Sequence, residues 1–318
     1  MTTLTDHALP TTIDGSGWPV IDVPTMQIGS EAFVRAAGFA GRDLPVDVFH
    51  ALVDFVDASS LSGALLIRNV PLGDLPATPR SPTAPFMKDP ISEFTLLTVA
   101  RQLGQPVGYE PEHGGDLVQN VVPTQGAADR QVSTSSKVEL MFHTEAAFHP
   151  HRPRYLMLLC LRGDPFAATT LSSINEVLPR LPHDVGDILF QARFRTAVDE
   201  SYLHGRSNVL GAATAVLTGS RQRPSMVFDA DLMVGTDPAA DDALRVLADA
   251  VALHHTSVAL EAGDLLIVDN NVAVHGRSPF TPRFDGTDRW LQRTFVVNDL
   301  ADSAGERSGR VITTQFGA

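Results

Sequence analysis

Cysteine is almost absent: Cys160 is the single one in 318 residues, and it sits inside the apolar run YLMLLCL. That excludes an internal disulfide framework, and a lone thiol in such a run reads as a buried structural residue in a protein of the reducing cytoplasm. Positive charge is also scarce, with 24 Lys and Arg against 37 Asp and Glu and a formal net charge of −13. A field of that sign repels phosphate backbones and anionic lipid, which argues against nucleic-acid and membrane partners. No apolar run approaches the ~20 residues that cross a bilayer. The opening MTTLTDHALPTTIDGSGWP lacks the basic-then-apolar order of a secretory signal. Repeats, low-complexity tracts and a dividing linker are missing as well, and GDLLIVDNN carries no phosphate-cradling glycine pattern. The expectation is a cytoplasmic protein with an extended arm at residues 1–18, rich in Thr, Pro and Gly, and one domain over residues 19–318.

What is present is a mixture of strand and helix signals. SEAFVRAAGFAG, PVDVFHALVDFVDASS, ISEFTLLTVARQLG and DDALRVLADAVALHH space their apolar residues at three and four, as helices do. ALLIRNV, VELMFH, RYLMLLCL, ATTLSS, PSMVFD, GDLLIVD, NVAVHG and RWLQRTFVV read as strands bounded by turn residues. Many strands without strict strand–helix alternation predict a mainly β fold, a sandwich or jelly-roll barrel with flanking helices packed outside. Residues 108–137 hold one strand-like run, LVQNVVP, in Gly-, Ser- and Gln-rich sequence and read as a lid-like insertion.

The chemistry is concentrated in FHTEAAFHPHRP, residues 142–153. His143 and Glu145 lie two apart at the end of an apolar strand, where period two puts both on one face. An isolated histidine, His275, ends another predicted strand 132 residues later (275 − 143). Two imidazoles and one carboxylate form the set that holds non-haem Fe(II) while leaving positions open. A zinc hydrolase is disfavoured, because no nucleophile or acid/base motif accompanies these residues, and a non-catalytic sandwich module with structural histidines is the reading from another class. Arg289 and Arg293, four apart in DRWLQRTFVV, project from one strand face, and each guanidinium fork matches a carboxylate. His149 and His151, beside Pro150 and Pro153, read as solvated or hydrogen-bonding turn residues, and His113, His204, His254 and His255 as structural.

HTEAAFHPHRP, YLMLLCLRGDP and GDLLIVDNNVAVHGRSPFTPRFDGTDRWLQRTFV together resemble the clavaminate synthase-like, TauD-related branch of the Fe(II)/2-oxoglutarate dioxygenases. Within that branch the similarity is to β-hydroxylases of free L-arginine and of asparagine from peptide-antibiotic pathways such as that of viomycin. The resemblance implies a distorted double-stranded β-helix, or jelly roll, with Fe(II) as cofactor and 2-oxoglutarate and O2 as cosubstrates. It implies iron ligation by His143, Glu145 and His275, and binding of the distal carboxylate of 2-oxoglutarate by Arg289 with help from Thr170. Arg293, Gln119 and Glu145 would meet the backbone of an amino-acid substrate, and Asp229 and Asp231 would grip a guanidinium. Ser133, Ser135 and Ser136 lie where substrate contacts occur, with the choice among them open. The implied reaction is β-hydroxylation of arginine or a related basic amino acid. Lysine, asparagine, glutamine and citrulline are alternatives, and a desaturase or cyclase would share every ligand. A carboxylate at position 145 favours hydroxylation over halogenation.

Overall fold

Tyr155–Arg162, the strand expected from RYLMLLCL, is buried along nearly its whole length. It is flanked on both edges and covered on both faces. In the computed structural model, which describes residues 8–317 apart from Val20, Pro85, Phe86 and His204, it pairs antiparallel with Leu265–Asp269 on one side and Trp290–Val297 on the other. The main sheet runs Thr11–Asp14, Ala64–Arg68, Leu265–Asp269, Tyr155–Arg162, Trp290–Val297, Gln105–Tyr109, Val311–Ile312 and Arg307–Ser308, and Gln119–Val121 also pairs with Trp290–Val297. A second sheet of four strands runs Thr256–Val258, Thr169–Ser173, Ala273–Arg277, Leu140–His143.

Period two decides which core each residue joins. Leu66, Leu156, Leu158 and Leu266 of the main sheet pack with Leu171 and Ala273 of the second sheet, so these faces form the inner core. The alternating residues Leu65, Ile67, Met157 and Leu265 turn the other way, onto Val48, Leu52 and Phe55 of the helix Val46–Asp57 and Leu96 and Val99 of the helix Ile91–Leu103. Val274 and Phe142 face outward from the second sheet onto Leu244, Leu247 and Val251 of Pro238–Leu253. Each fully buried aliphatic side chain contributes about 1.5–3 kcal/mol, so a one-residue slip in any of these strands would exchange two cores. The helices start on local signals. Ser30 accepts a hydrogen bond from the Phe33 amide, and Asp237, followed by Pro238, accepts from the Ala239 and Ala240 amides. The result is mainly β with flanking helices, as expected.

Three differences from the sequence reading matter. The arm contributes Thr11–Asp14 as a parallel edge strand on Ala64–Arg68, so it belongs to the sheet; residues 1–7 and His204 lie outside the described residues. Parts of the lid-like insertion are sheet too: Gly108 and Tyr109 pair with Val311–Ile312, and Gln119–Val121 pairs with Trp290–Val297. PSMVFD supplies only Pro224–Met226, in a small hairpin with Leu217–Gly219. Among the described residues no helix is long and apolar enough to cross a membrane.

Candidate metal centre and active site

His143 and His275 end up side by side as cross-strand partners on the inward face of the second sheet, with ring centroids 4.3 Å apart. Glu145 arrives differently from the expectation. The strand stops at His143, and Glu145 lies in the following turn, where Ala146 takes the left-handed φ of 51°. Asn270 fixes that turn: its Oδ1 accepts from the Glu145 amide (2.7 Å), and its Nδ2 donates to the carbonyls of Glu145 (3.1 Å) and Pro153 (2.9 Å). The candidate ligand atoms of His143, Glu145 and His275 then lie within 4.8 Å of one another.

The protonation states suit a cation. His143 Nδ1 meets the Met141 carbonyl at 2.9 Å, which makes Nδ1 the protonated nitrogen and leaves Nε2 for a metal. Burial, reinforced by the neighbouring His143, lowers the His275 pKa to about 4 and keeps its imidazole neutral. For Glu145, burial opposes ionisation, but Arg293 and the two histidines outweigh it and hold the carboxyl below its usual range. Two imidazole nitrogens and one carboxylate oxygen so close together fit a divalent first-row metal with open positions.

A cavity of about 840 Å³ opens over this triad, within the range of small-molecule sites. Arg289, Leu291 and Arg293 line it from Trp290–Val297 and the residue just before it, so the expected common face holds although Arg289 stands outside the strand. Arg289 is buried, and burial lowers its pKa; among the described residues no carboxylate forms an ion pair with it. Arg293 is fully engaged. Its Nη2 meets Glu112 Oε2 at 2.5 Å, its Nε and Nη2 donate to Gln119 Oε1 at 3.1 and 2.6 Å, and its Nη1 lies 3.7 Å from Glu145 Oε2. Gln119 therefore stands behind Arg293 as its buttress and not on the cavity wall.

Thr170 requires a correction. It pairs with Gly276, whose position, like that of Val274, faces outward, whereas Thr169 pairs with Arg277 and lines the cavity. Parity along the strand thus puts Thr169, not Thr170, beside the triad. Asp229 and Asp231 both reach the cavity wall. Asp229 is buried, with Oδ1 accepting from the Asp231 and Leu232 amides at 2.9 and 2.8 Å, while Asp231 is exposed. Burial raises the Asp229 pKa, opposed by His143. Ser133 lines the cavity; Ser135 accepts from Arg277 at 2.8 Å, and the Ser136 hydroxyl is buried without a partner among the described residues.

Glu112 was not anticipated. Burial raises its pKa, Arg293 opposes that, and the Tyr202 hydroxyl stands 3.3 Å from its Oε1. Its sequence signal was PEHGG, a carboxylate locked between a proline and the positive-φ residues His113 and Gly114. His113 itself lines the cavity. His149 is not solvated: it is 1% exposed, accepts from the His151 amide at 2.9 Å and packs against Tyr109 and Phe316. His255 contacts Phe142 and the Ala252 carbonyl, as a structural histidine would. Cys160 is buried, its thiol pKa pushed up to about 12 by burial. A second loop borders the mouth through Asp199–Tyr202, and Arg130 meets Glu200 across it at 2.7 Å.

With this geometry in hand, comparison with known proteins is direct. Residues 62–295 match the model of the taurine catabolism dioxygenase TauD, TfdA family. An L-lysine 3-hydroxylase of Catenulispora acidiphila is 38% identical, over 89% of this chain and 81% of the relative. The structure of an asparagine oxygenase with Fe(II), 2S,3S-3-hydroxyasparagine and succinate superposes with a TM-score of 0.85 at 38% identity, covering 91% of each chain. The non-haem iron oxygenase OrfP with Fe, succinate and (3S)-hydroxy-L-Arg gives 0.82 at 31% identity, covering 90% of this chain and 92% of OrfP. The chain belongs to the taurine catabolism dioxygenase TauD, TfdA family and is an Fe(II)- and 2-oxoglutarate-dependent dioxygenase.

Proposed function

We propose that the protein hydroxylates a free L-amino acid with a basic side chain, at Cβ, with arginine or lysine as the preferred substrate and a place in peptide-antibiotic assembly. The observation that carries the reading is the engaged state of Arg293. It lies between Glu112 and the triad's Glu145, so one wall of the cavity holds a cation and an anion suited to the two ends of an amino-acid zwitterion. Asp229, whose backbone pairs with that of His143, places a carboxyl group beside a side chain that passes over the triad. The relatives named above act on lysine and asparagine or bind a hydroxylated arginine, which supports this substrate class.

In this reading His143, Glu145 and His275 hold Fe(II), within two sheets that together form a distorted double-stranded β-helix. Bound Fe(II) supplies, with 2-oxoglutarate and O2, the oxidant that removes hydrogen from carbon and returns hydroxyl, with succinate and CO2 as coproducts. The chain's own residues bind and orient. Arg289 pairs with the distal carboxylate of 2-oxoglutarate, with Thr169 as the hydroxyl on that wall. Arg293, buttressed by Gln119, takes the α-carboxylate of the substrate, and Glu112 its α-ammonium. The Asp199–Tyr202 loop and the segment around Ser133 narrow the mouth and limit water.

Between the two preferred substrates, one observation favours lysine over arginine. Asp229 Oδ1 is already occupied by two amides, which leaves a single carboxylate oxygen, better matched to an ammonium or carboxamide than to a bidentate fork. The test is a panel of free amino acids with Fe(II), 2-oxoglutarate and O2, scoring succinate and gain of one oxygen. Turnover of arginine or lysine is expected. No turnover of any basic amino acid sinks the preferred substrate, and loss of two hydrogens without oxygen gain identifies a desaturase.

A further inference from the structure

Arg277 is a buried charged residue of the cavity wall to which the roles above give no task. It lies two positions after His275 on the same inward face, is only 3% exposed, and pairs across the sheet with Thr169. Its Nη2 donates to Ser135 Oγ at 2.8 Å and to the Val138 carbonyl at 3.2 Å, and the Phe280 ring lies 5.0 Å below its guanidinium carbon. Its Nε and Nη1 are buried with no hydrogen-bond partner among the described residues. Among the described residues no carboxylate forms an ion pair with it, and the same holds for Arg289 on the same wall. Two buried guanidiniums with no counter-charge are costly unless a ligand brings the anion, because desolvation of each is otherwise uncompensated.

We propose that Arg277 is a second anchor for the distal carboxylate of 2-oxoglutarate, opposite Arg289, and that by holding Ser135 and Val138 it links cosubstrate binding to the order of the substrate-side segment 133–138. The inference rests on the reading of Arg289 as a carboxylate anchor. One guanidinium then serves two sites. Nε and Nη1, buried and unpartnered among the described residues, would take the cosubstrate carboxylate, while Nη2 fixes a segment whose Ser133 lines the cavity and whose Ser136 carbonyl accepts from the Phe280 amide at 2.8 Å. An anion on the free edge holds the guanidinium in place, and with it the segment, so 2-oxoglutarate tightens the site before the amino acid enters. Arg277 is thus a positioning residue for substrate as well as a binding residue for cosubstrate.

The test uses the full-length protein loaded with Mn(II) and calorimetric binding of two 2-oxo acids: 2-oxoglutarate, and 2-oxovalerate, which lacks the distal carboxylate. In wild type 2-oxoglutarate binds more tightly. Arg277→Gln is expected to shrink that preference by about tenfold or more, as loss of a charge-assisted pair does. Arg277→Lys, which keeps charge and is the variant to use should the glutamine protein fail to fold, is expected to shrink it by roughly threefold. Ser135→Ala should leave the preference unchanged and raise the amino-acid KM at saturating 2-oxoglutarate. A folded Arg277→Gln or Arg277→Lys protein with the wild-type preference overturns the proposal. Arg289→Gln separates the two layers: if it too keeps the preference, the reading of Arg289 is what fails, and if it loses it while Arg277→Gln does not, only the present inference falls.

Discussion

Asn270 offers the most demanding check on how the metal centre is built. It touches no candidate ligand atom, yet it accepts from the Glu145 amide and donates to the Glu145 and Pro153 carbonyls, and it is 0% exposed. Asn270→Ala strands three buried backbone groups. Each unsatisfied group costs about 1–3 kcal/mol, and partial relaxation toward water argues for the lower end, so we expect about 3 kcal/mol lost in urea unfolding of the metal-free protein. The same change releases the turn that carries Glu145, where Ala146 already sits at positive φ. Loss of such support around a metal ligand weakens affinity by about 10–100-fold, measurable by Co(II) or Mn(II) titration. Asn270→Asp is a sharper variant. Its carboxylate still accepts from the Glu145 amide but faces two carbonyls, so its carboxyl pKa is raised on folding and stability falls as pH rises from the unfolded value near 4 toward the folded one. An Asn270→Ala protein that loses under about 1 kcal/mol and binds metal within twofold of wild type would refute the argument that this side chain positions Glu145.

Four further outcomes follow from the same geometry. His275→Ala should abolish stoichiometric Co(II) binding while circular dichroism shows the fold retained; unchanged metal content would return the triad to a structural role. Asp229→Asn should raise KM for basic amino acids by about 10-fold or more with a smaller effect on neutral ones, and the exposed Asp231→Asn should do less, so equal effects would contradict the burial difference. Glu112→Gln should raise the amino-acid KM and leave 2-oxoglutarate affinity intact, checked by steady-state kinetics and calorimetry. His149, its pKa lowered to about 3 by burial and by His151 and Arg152, is buried neutral. Its contribution is complete above the unfolded value near 6.5 and is lost as pH falls below it, by about 2 kcal/mol at pH 5. His149→Gln, which keeps an acceptor for the His151 amide, should flatten the thermal-melt profile between pH 7 and 5, and an unchanged slope would count against it.

The residues legible in the sequence were those whose chemistry contradicts their surroundings. His143, His275, Arg289 and Arg293 are polar groups in or beside apolar strands, and the strands themselves follow from period two, so the mainly β fold and the candidate metal set were legible. What escaped depends on register or on backbone turns. Thr169 and Thr170 are chemically identical neighbours, and only pairing with Arg277 and Gly276 shows which one faces inward. Gln119 was expected at the substrate backbone from the family resemblance, but its cross-strand partner is Arg293, which intercepts it. Glu145 met the triad through a turn held by a residue 125 positions away, a long-range bond no local period encodes. The strand Thr11–Asp14 lacked an apolar alternation because it is a mostly exposed edge, held by backbone pairing with only Ile13 packed on the core.

Charge accounting gives the proposed substrate its form. In the free protein Arg293 is neutralised by Glu112, and a ligand that brought only a carboxylate would have to compete for the guanidinium and leave Glu112 buried beside Glu145 with its charge uncompensated. A ligand that brought only an amine would leave Arg293 to be shared between two carboxylates as before, and would gain a single contact. A zwitterion exchanges both partners at once: its carboxylate replaces Glu112 on Arg293, and its ammonium replaces Arg293 on Glu112, so no charge is left unpaired in a low-dielectric site. The net charge of −13 sharpens this. Asp199, Glu200 and Asp231 crowd the mouth, which attracts a net-cationic amino acid and repels a dianion, whereas the deep guanidiniums of Arg277 and Arg289 favour the dianion. On the proposed reading the two ligands would be sorted by depth, 2-oxoglutarate below and a basic zwitterion above, the same order in which the role proposed for Arg277 would fix the segment 133–138 before the amino acid meets it.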